Sequence, residues 1–192
     1  MPQLKVVKES KSVKPGSGAD KHRQDAKNVD MMQISVQVPS PSELWGYSHK
    51  TMAGILEHTG LEHTSDAAIW TEGTSKKELF ADALWQMSDL LLPGHCQKIA
   101  HYDCLMRVRM QAVDDTALLI DFLSEALALT YIQKALFCHV YFDLLTDKKL
   151  SARLYGRWYD QLANEIKAVT YHEAEITRAR EGRWATPVLF DL

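Results

Sequence analysis

A dense group of polar side chains lies where an apolar, strand-like segment begins. The stretch Glu62-His63-Thr64-Ser65-Asp66 supplies two carboxylates, an imidazole and two hydroxyls within five residues. Carboxylate oxygens bind hard divalent cations, and an imidazole beside such a cation can act as a general base. Because the start of a strand does not itself require these groups, the stretch indicates a functional site.

The end of the sequence, Val188 to Leu192, offers a second set of oxygen anions. A strand ending there would bring the Asp191 side chain close to the terminal carboxylate of Leu192, and no Lys or Arg follows Arg183. Two carboxylates are costly to hold together unless a cation lies between them. If this end meets Asp66, the three carboxylates suit Ca²⁺ or Mg²⁺ better than a soft metal. The alternative is a solvated chain end, which is the commoner fate of a last residue.

Lys167 and His172 form a third candidate, because they lie in an otherwise apolar, strand-like run. Both side chains could project toward one polar position. In the alternative interpretation, Lys167 protects a sheet edge from aggregation and His172 is an ordinary surface imidazole. The residues alone leave both interpretations open.

Several familiar catalytic and metal-binding motifs are absent from the sequence. The eight histidines include no His-x-x-x-His spacing, which argues against a zinc site. There is no phosphate-binding glycine loop and no Gly-x-Ser-x-Gly motif, so no catalytic residue of an independent hydrolase is predicted. Cys96, Cys104 and Cys138 are odd in number and lack Cys-x-x-Cys spacing. They predict buried, reduced thiols of a cytoplasmic protein rather than a disulfide.

Composition divides the chain into a tail and a body. At 192 residues with 46% hydrophobic content, the chain is long enough for a single compact domain. Residues 1–30 hold seven Lys or Arg against four acids and predict a disordered basic leader. A linker or short extra strand is predicted over 31–55, and the folded domain over 56–192. The body after residue 30 sums to −6 because the whole chain is −3, which favours binding of a basic protein or a cation.

The elements that must position these groups follow from hydrophobic periodicity. A strand ending at Gly73 is followed by an amphipathic helix that Thr74 or Ser75 caps. Asp114-Asp115 caps a second amphipathic helix, which runs to about Thr130. Further strands are predicted at 102–113, 137–145, 150–159, 166–179 and 183–190. The order predicts an α+β fold in which two helices cover a mostly antiparallel β-sheet. No run of apolar residues predicts a membrane span.

Four blocks of the sequence, in the same order, resemble the archease family. They are Glu62–Asp66 with Gly73-Thr74 and Glu78-Leu79-Phe80, the helix block Leu118–Glu125, the block Lys167–His172, and the terminal Phe190-Asp191-Leu192. Ser65 stands where that family usually has Ala, and Ala67-Ala68 stands where it usually has Val-Gly. Together the blocks identify residues 56–192 as an archease-like domain.

The resemblance implies a protein cofactor of an RtcB-type RNA ligase, which acts in tRNA splicing, tRNA processing and RNA repair. Such a ligase joins a 2′,3′-cyclic phosphate or 3′-phosphate end to a 5′-hydroxyl. The cofactor promotes guanylylation and multiple turnover of the ligase without joining RNA itself. The resemblance also implies a divalent cation on Asp66, Asp191 and the terminal carboxylate of Leu192. Calcium is the expected ion, with Mg²⁺ or Mn²⁺ as alternatives.

Lys167 matches a family lysine that works at the ligase interface or in the ligase active site. We predict that His63 and His172 take part in the same partner contact. The protein is expected to be cytoplasmic and monomeric, with oligomers left open. It is expected to meet RNA only indirectly, through the ligase, and to bind no membrane.

Two functions of other classes remain open from the sequence. A stand-alone metal-dependent enzyme would use His63 as general base beside a cation on Asp66, and would turn over a substrate without any ligase. A chaperone-like adaptor would use a purely structural metal to hold the last strand in place. In that case chelation would lower the melting temperature and leave partner stimulation intact in the protein that stays folded.

Overall fold

The computed structural model describes the backbone of residues 31–36 and the whole of residues 66–178 and 182–192. The strands are β1 (Met31–Val36), β2 (Asp66–Gly73), β3 (Tyr102–Gln111), β4 (Ala135–Leu145), β5 (Lys149–Trp158), β6 (Ala168–Thr170), β7 (Thr177–Arg178) and β8 (Trp184–Asp191). The helices are α1 (Lys76–Leu91) and α2 (Asp115–Gln133), with a short 3-10 helix at Cys96–Lys98. The predicted leader, most of the predicted linker, and His63 lie outside the described residues.

The strands form two antiparallel sheets. The first sheet has the strand order β1-β3-β5-β4, and the second has the order β2-β8-β6, with β7 also paired to β8. Helix α1 packs against β2 and β4, and α2 packs against β3, β4 and β6, so the helices join the two sheets. The predicted α+β fold with two helices is confirmed, with the strands divided between two sheets. Neither helix, among the described residues, is long and apolar enough to span a bilayer.

Local hydrogen bonds explain where the helices begin. The Ser75 hydroxyl accepts from the Glu78 N–H at 3.2 Å, while the Glu78 carboxylate accepts from the Thr74 N–H at 2.8 Å. At α2, the Asp114 carboxylate accepts from the Ala117 N–H at 2.8 Å. These side chains satisfy N–H groups that have no partner within the helix. Both predicted caps are therefore confirmed, with Ser75 rather than Thr74 at the cap position of α1.

A cluster of aromatic rings forms the centre of the core between the helices and the first sheet. Phe80 on α1, Phe122 on α2 and Phe142 on β4 have ring centroids 5.9–6.2 Å apart. Phe80 and Phe122 are completely buried. Gly73, at the end of β2, is close to α1: a Cβ atom added there would lie 2.4 Å from the Leu79 nitrogen. The glycine therefore permits the tight connection between β2 and α1.

The prediction of three reduced thiols was wrong, because Cys96 and Cys138 form a disulfide. Cys96 lies in the 3-10 helix that follows α1, and Cys138 lies on β4. Their Cα atoms are 5.4 Å apart although the two residues are 42 positions apart in the sequence. Spacing along the chain does not reveal a pair that only the packing of α1 against β4 brings together. Cys104 is the free cysteine, and burial raises the pKa of its thiol to about 12.

The predicted strand over 166–179 was also wrong in its extent. Of residues 166–178, the part of this stretch that the structure describes, only 168–170 and 177–178 are extended and paired, and both short strands lie against β8. Between them the chain turns at 171–174, where the Ala174 N–H donates to the Tyr171 carbonyl at 3.3 Å. Glu173 has a positive φ of 59° in this turn. The polar residues of the turn interrupt the apolar pattern without any Gly or Pro to mark the break.

Candidate functional site

Asp66 and Asp191 face each other at one end of the second sheet. Strands β2 and β8 pair in unbroken register, from Asp66 opposite Asp191 to Gly73 opposite Trp184. Directly opposed residues of antiparallel strands project from the same face, with Cβ atoms about 4.5–5.5 Å apart. The two carboxylates therefore lie on the same side of the sheet, although 125 positions separate them in the sequence.

Lys167 is bound to the same end of the sheet through two hydrogen bonds. Its main-chain N–H donates to the Asp191 carbonyl at 2.7 Å, and its Nζ donates to the main-chain oxygen of Leu192 at 2.6 Å. The Lys167 side chain is exposed, so its ammonium group stands at the surface next to Leu192, the neighbour of Asp191. This arrangement places one positive group against the negative charge of the strand end.

The oxygen donors at this end are of the chemical type that hard divalent cations bind. Within residues 66–178 and 182–192, no three His, Cys, Asp or Glu side chains are grouped as metal ligands. The facing aspartates thus supply two side-chain carboxylates, and further oxygens would come from Leu192, the neighbour of Asp191. Like charges directly opposed on a sheet repel each other, and a bound cation relieves that repulsion. We name Asp66, Asp191, Leu192 and Lys167 the acidic end.

Tyr131, on α2, holds both main-chain polar groups of Ile166, the residue before Lys167. Its hydroxyl donates to the Ile166 carbonyl at 2.9 Å and accepts from the Ile166 N–H at 2.8 Å. The Ile166 side chain is completely buried in the core. Because the hydroxyl uses both its donor and its acceptor on one residue, the main chain that leads into Lys167 is held in one position. Partial burial raises the pKa of Tyr131, so this phenol stays protonated at neutral pH.

A second tyrosine holds the other end of β6 to the same helix. The Tyr171 hydroxyl donates to the Asp121 carboxylate at 2.6 Å. This hydrogen bond, together with partial burial, raises the pKa of Tyr171 to about 12. Further along, the Ile176 N–H donates to the Thr116 hydroxyl at 3.1 Å. Helix α2 therefore positions the segment from 166 to 176 through three side chains.

Two of the residues predicted for partner contact are not part of the acidic end as described. His172 lies in the turn after β6, at the opposite end of that strand from Lys167. Its side chain is 75% exposed, and its Nε2 is 3.6 Å from the Glu173 carboxylate. His63 falls outside the described residues. The structure thus brings Lys167, and not His172, to the facing aspartates.

The residues that position β6 gave little signal in the sequence. Asp121 enters the sequence analysis only within the helix block Leu118–Glu125. Tyr131 lies near the end of that helix, where an aromatic residue is typical of ordinary packing. Tyr171 lies within the Lys167–His172 block, where Lys167 and His172 are the residues with a predicted role. A tyrosine whose hydroxyl holds a distant main-chain group leaves no pattern in the local sequence, because its partner is chosen by the tertiary packing.

Comparison with known proteins agrees with the family resemblance of the sequence blocks. The family model described as Archease protein family (MTH1598/TM1083) matches residues 58–192. The protein named Protein archease of Methanosarcina barkeri is 29% identical over 140 residues, which cover 69% of this chain and 93% of that protein. Its namesake from Pyrococcus abyssi is also 29% identical over 140 residues, covering 68% and 95%. The solution structure of Methanobacterium thermoautotrophicum protein 1598 has a TM-score of 0.54 and 26% identity, covering 69% of this chain and 96% of that one.

Proposed function

This chain belongs to the archease family, and we propose that it activates an RtcB-type RNA ligase in tRNA splicing, tRNA processing and RNA repair. In this role it promotes guanylylation and multiple turnover of the ligase and joins no RNA itself. The observation that supports this role most directly is the facing of Asp66 and Asp191 beside Lys167. All three residues lie in blocks that resemble the family. A cytoplasmic location and a monomeric state belong to the same proposal.

The proposal includes a divalent cation held by Asp66, Asp191 and the terminal carboxylate of Leu192. Calcium fits a site of carboxylate oxygens, with Mg²⁺ or Mn²⁺ as alternatives. When bound, this ion supplies a fixed positive charge that screens the repulsion between the carboxylates. The Leu192 oxygen that accepts from Lys167 also ties the lysine to the site.

The negative charge of the body and the fixed position of Lys167 suit docking on a basic ligase. A ligase that binds RNA needs a basic channel for the phosphates. The body after residue 30 carries a net charge of −6, and the acidic end lies at one end of its second sheet. Complementary charge speeds the encounter of two proteins and selects their orientation. Lys167, fixed at its main chain by Tyr131 through Ile166, then presents its ammonium group to the ligase in a defined position.

The direct test measures single-turnover guanylylation of the cognate ligase in the presence of Ca²⁺ with wild-type, Asp66→Asn or Asp191→Asn protein. Loss of even an outer partner of a metal ligand costs about 10–100-fold in metal affinity or activity. Removing a direct ligand should therefore lower the stimulation by at least about ten-fold. Asp160→Asn is the matched control, because Asp160 is an exposed aspartate outside the acidic end. Its stimulation should equal that of the wild type.

Two results would contradict the proposal. One is full stimulation by both aspartate variants in protein that circular dichroism shows to be folded. If the same variants also melt earlier, a purely structural cation is the better explanation. The other is turnover of a substrate by the isolated protein, which would assign it to a class of enzyme that needs no ligase.

Tyr131→Phe should lower the free energy of unfolding by about 1–3 kcal/mol, because it leaves both main-chain groups of the buried Ile166 without this partner. Amide exchange at residues 166–168 should become faster. Denaturant unfolding and hydrogen exchange measure the two effects. Tyr141→Phe is the control, since Tyr141 is 52% exposed and should change stability by less than about 0.5 kcal/mol. Unchanged stability together with unchanged exchange in Tyr131→Phe would contradict the positioning role.

A further inference from the structure

The side of the first sheet that faces away from the helices carries a group of cationic side chains. Arg107 and Arg109 alternate with buried residues along β3 and are exposed. Arg153 on β5 lies directly opposite Arg107, and Tyr141 on β4 lies directly opposite Arg153. Lys149 follows the same alternation on β5. We define the arginine face as Arg107, Arg109, Tyr141, Lys149 and Arg153.

The arginine face has an aromatic ring at its surface. Tyr141 is 52% exposed, and the Arg153 guanidinium lies over its ring at 4.4 Å from the centroid. A shallow groove of about 610 Å³ continues from the face and is lined in part by Arg109, Leu144 and Lys149. Leu144 is 46% exposed beside it. The surface therefore combines cations, a half-exposed ring with Arg153 over one of its faces, and a groove on a single antiparallel sheet.

The charge of this face is opposite to that of the body as a whole. Four residues of the face are Arg or Lys, and Arg153 among them pairs with the Asp143 carboxylate at 2.9 Å. Neither Arg109 nor Lys149 has an ion-pair partner among residues 66–178 and 182–192. Burial lowers the pKa of the neighbouring His139 to about 4, so that imidazole is neutral and adds no charge at pH 7. The face thus remains basic over the neutral pH range.

We propose that the arginine face binds single-stranded RNA directly. Phosphates contact the guanidinium and ammonium groups, and a base stacks on the exposed ring of Tyr141. Single strands are bound in this way by open surfaces that interleave cations with aromatic rings. An acidic peptide would pair with the cations, but it has no base to stack on the flat ring. The acidic total of the body favours a basic protein or a cation as partner, but a sum over the sequence does not show how a sheet distributes its charges between its two faces.

This RNA contact goes beyond the proposed function, because it requires no ligase. The test uses the full chain and a labelled oligouridine RNA, with fluorescence anisotropy measured over a range of salt concentrations. The double variant Arg109→Glu/Lys149→Glu should bind at least ten-fold more weakly. It should also reduce the slope of log K against log salt by about 1.4, which is roughly 0.7 for each phosphate contact on a single strand. Tyr141→Ala should weaken binding by about five- to a hundred-fold through lost stacking.

Lys77→Glu is the matched control, because Lys77 is an exposed lysine on α1, away from the arginine face. It should bind RNA as the wild type does. Its slope of log K against log salt shows the effect of overall charge alone. The inference is overturned if the wild type does not bind the RNA, or if the folded double variant binds it equally well. It is also overturned if polyglutamate competes as well as RNA and Tyr141→Ala has no effect, since the face would then dock an acidic protein. These outcomes leave ligase guanylylation unaffected, so they are separate from a failure of the proposed function.

Discussion

Phe122→Ala is expected to lower the free energy of unfolding by about 3–5 kcal/mol. The Phe122 side chain is completely buried, and its ring lies 5.9 Å from that of Phe80 and 6.0 Å from that of Phe142. Truncation removes apolar surface from the core and leaves a cavity where α1, α2 and β4 meet. Because such cavities close only partly, the loss exceeds the transfer free energy of the missing ring.

Denaturant unfolding of Phe122→Ala measures this loss, with Ile132→Ala as the control on the same helix. Ile132 is 71% exposed, so its truncation should change stability by less than about 0.5 kcal/mol. A loss below about 1 kcal/mol for Phe122→Ala would contradict the described packing of α2. The result also bears on function. Helix α2 carries Tyr131 and Asp121, so loosening its core face should weaken the positioning of β6.

Reduction of the Cys96–Cys138 disulfide should lower the free energy of unfolding by about 3–4 kcal/mol. The bond closes a loop across 42 positions of sequence, and its loss frees the unfolded chain to adopt many more conformations. Unfolding with and without a reducing agent measures the difference. Cys104→Ala should keep its sensitivity to reduction, because Cys104 takes no part in the bond.

A count of free thiols tests the same bond independently. Protein lysed directly into denaturant with an alkylating agent should carry one alkylated cysteine without reductant and three after reduction. Three thiols in the untreated sample, or equal stability with and without reductant, would contradict the bond. Since cytoplasmic thiols are usually kept reduced, alkylation at lysis also tests the proposed location.

Features that depend on neighbouring residues were predictable from the sequence. The caps at Ser75 and Asp114 hydrogen-bond within three residues, so their signal is local and both helices begin as expected. The meeting of Asp66 and Asp191 could be predicted only on the condition that their two strands pair, because each residue lies at the end of a predicted strand. The register between those strands required the structure.

Features that depend on distant packing could not be predicted in the same way. Nothing near Cys96 indicates that β4 will bring Cys138 against it. The hydroxyl of Tyr131 reaches Ile166, which is 35 positions away, and no periodicity reports such a contact. The turn at 171–174 uses neither Gly nor Pro, so the polar residues there read as a continuation of the strand. The missed parts are therefore the contacts that hold β6 beside the acidic end.

The central place of β8 in the second sheet has a consequence for how the protein is made. Strand β8 pairs with β2, β6 and β7, and its residues 184–191 leave the ribosome after all of them. The strands of the first sheet are complete by residue 158, so that sheet can form while translation continues. Until β8 emerges, β2 is a strand without the neighbour it pairs with, which is a hazard for aggregation. A nascent chain therefore acquires the facing of Asp66 and Asp191 only after β8 has been made, and a chain terminated before residue 184 lacks it.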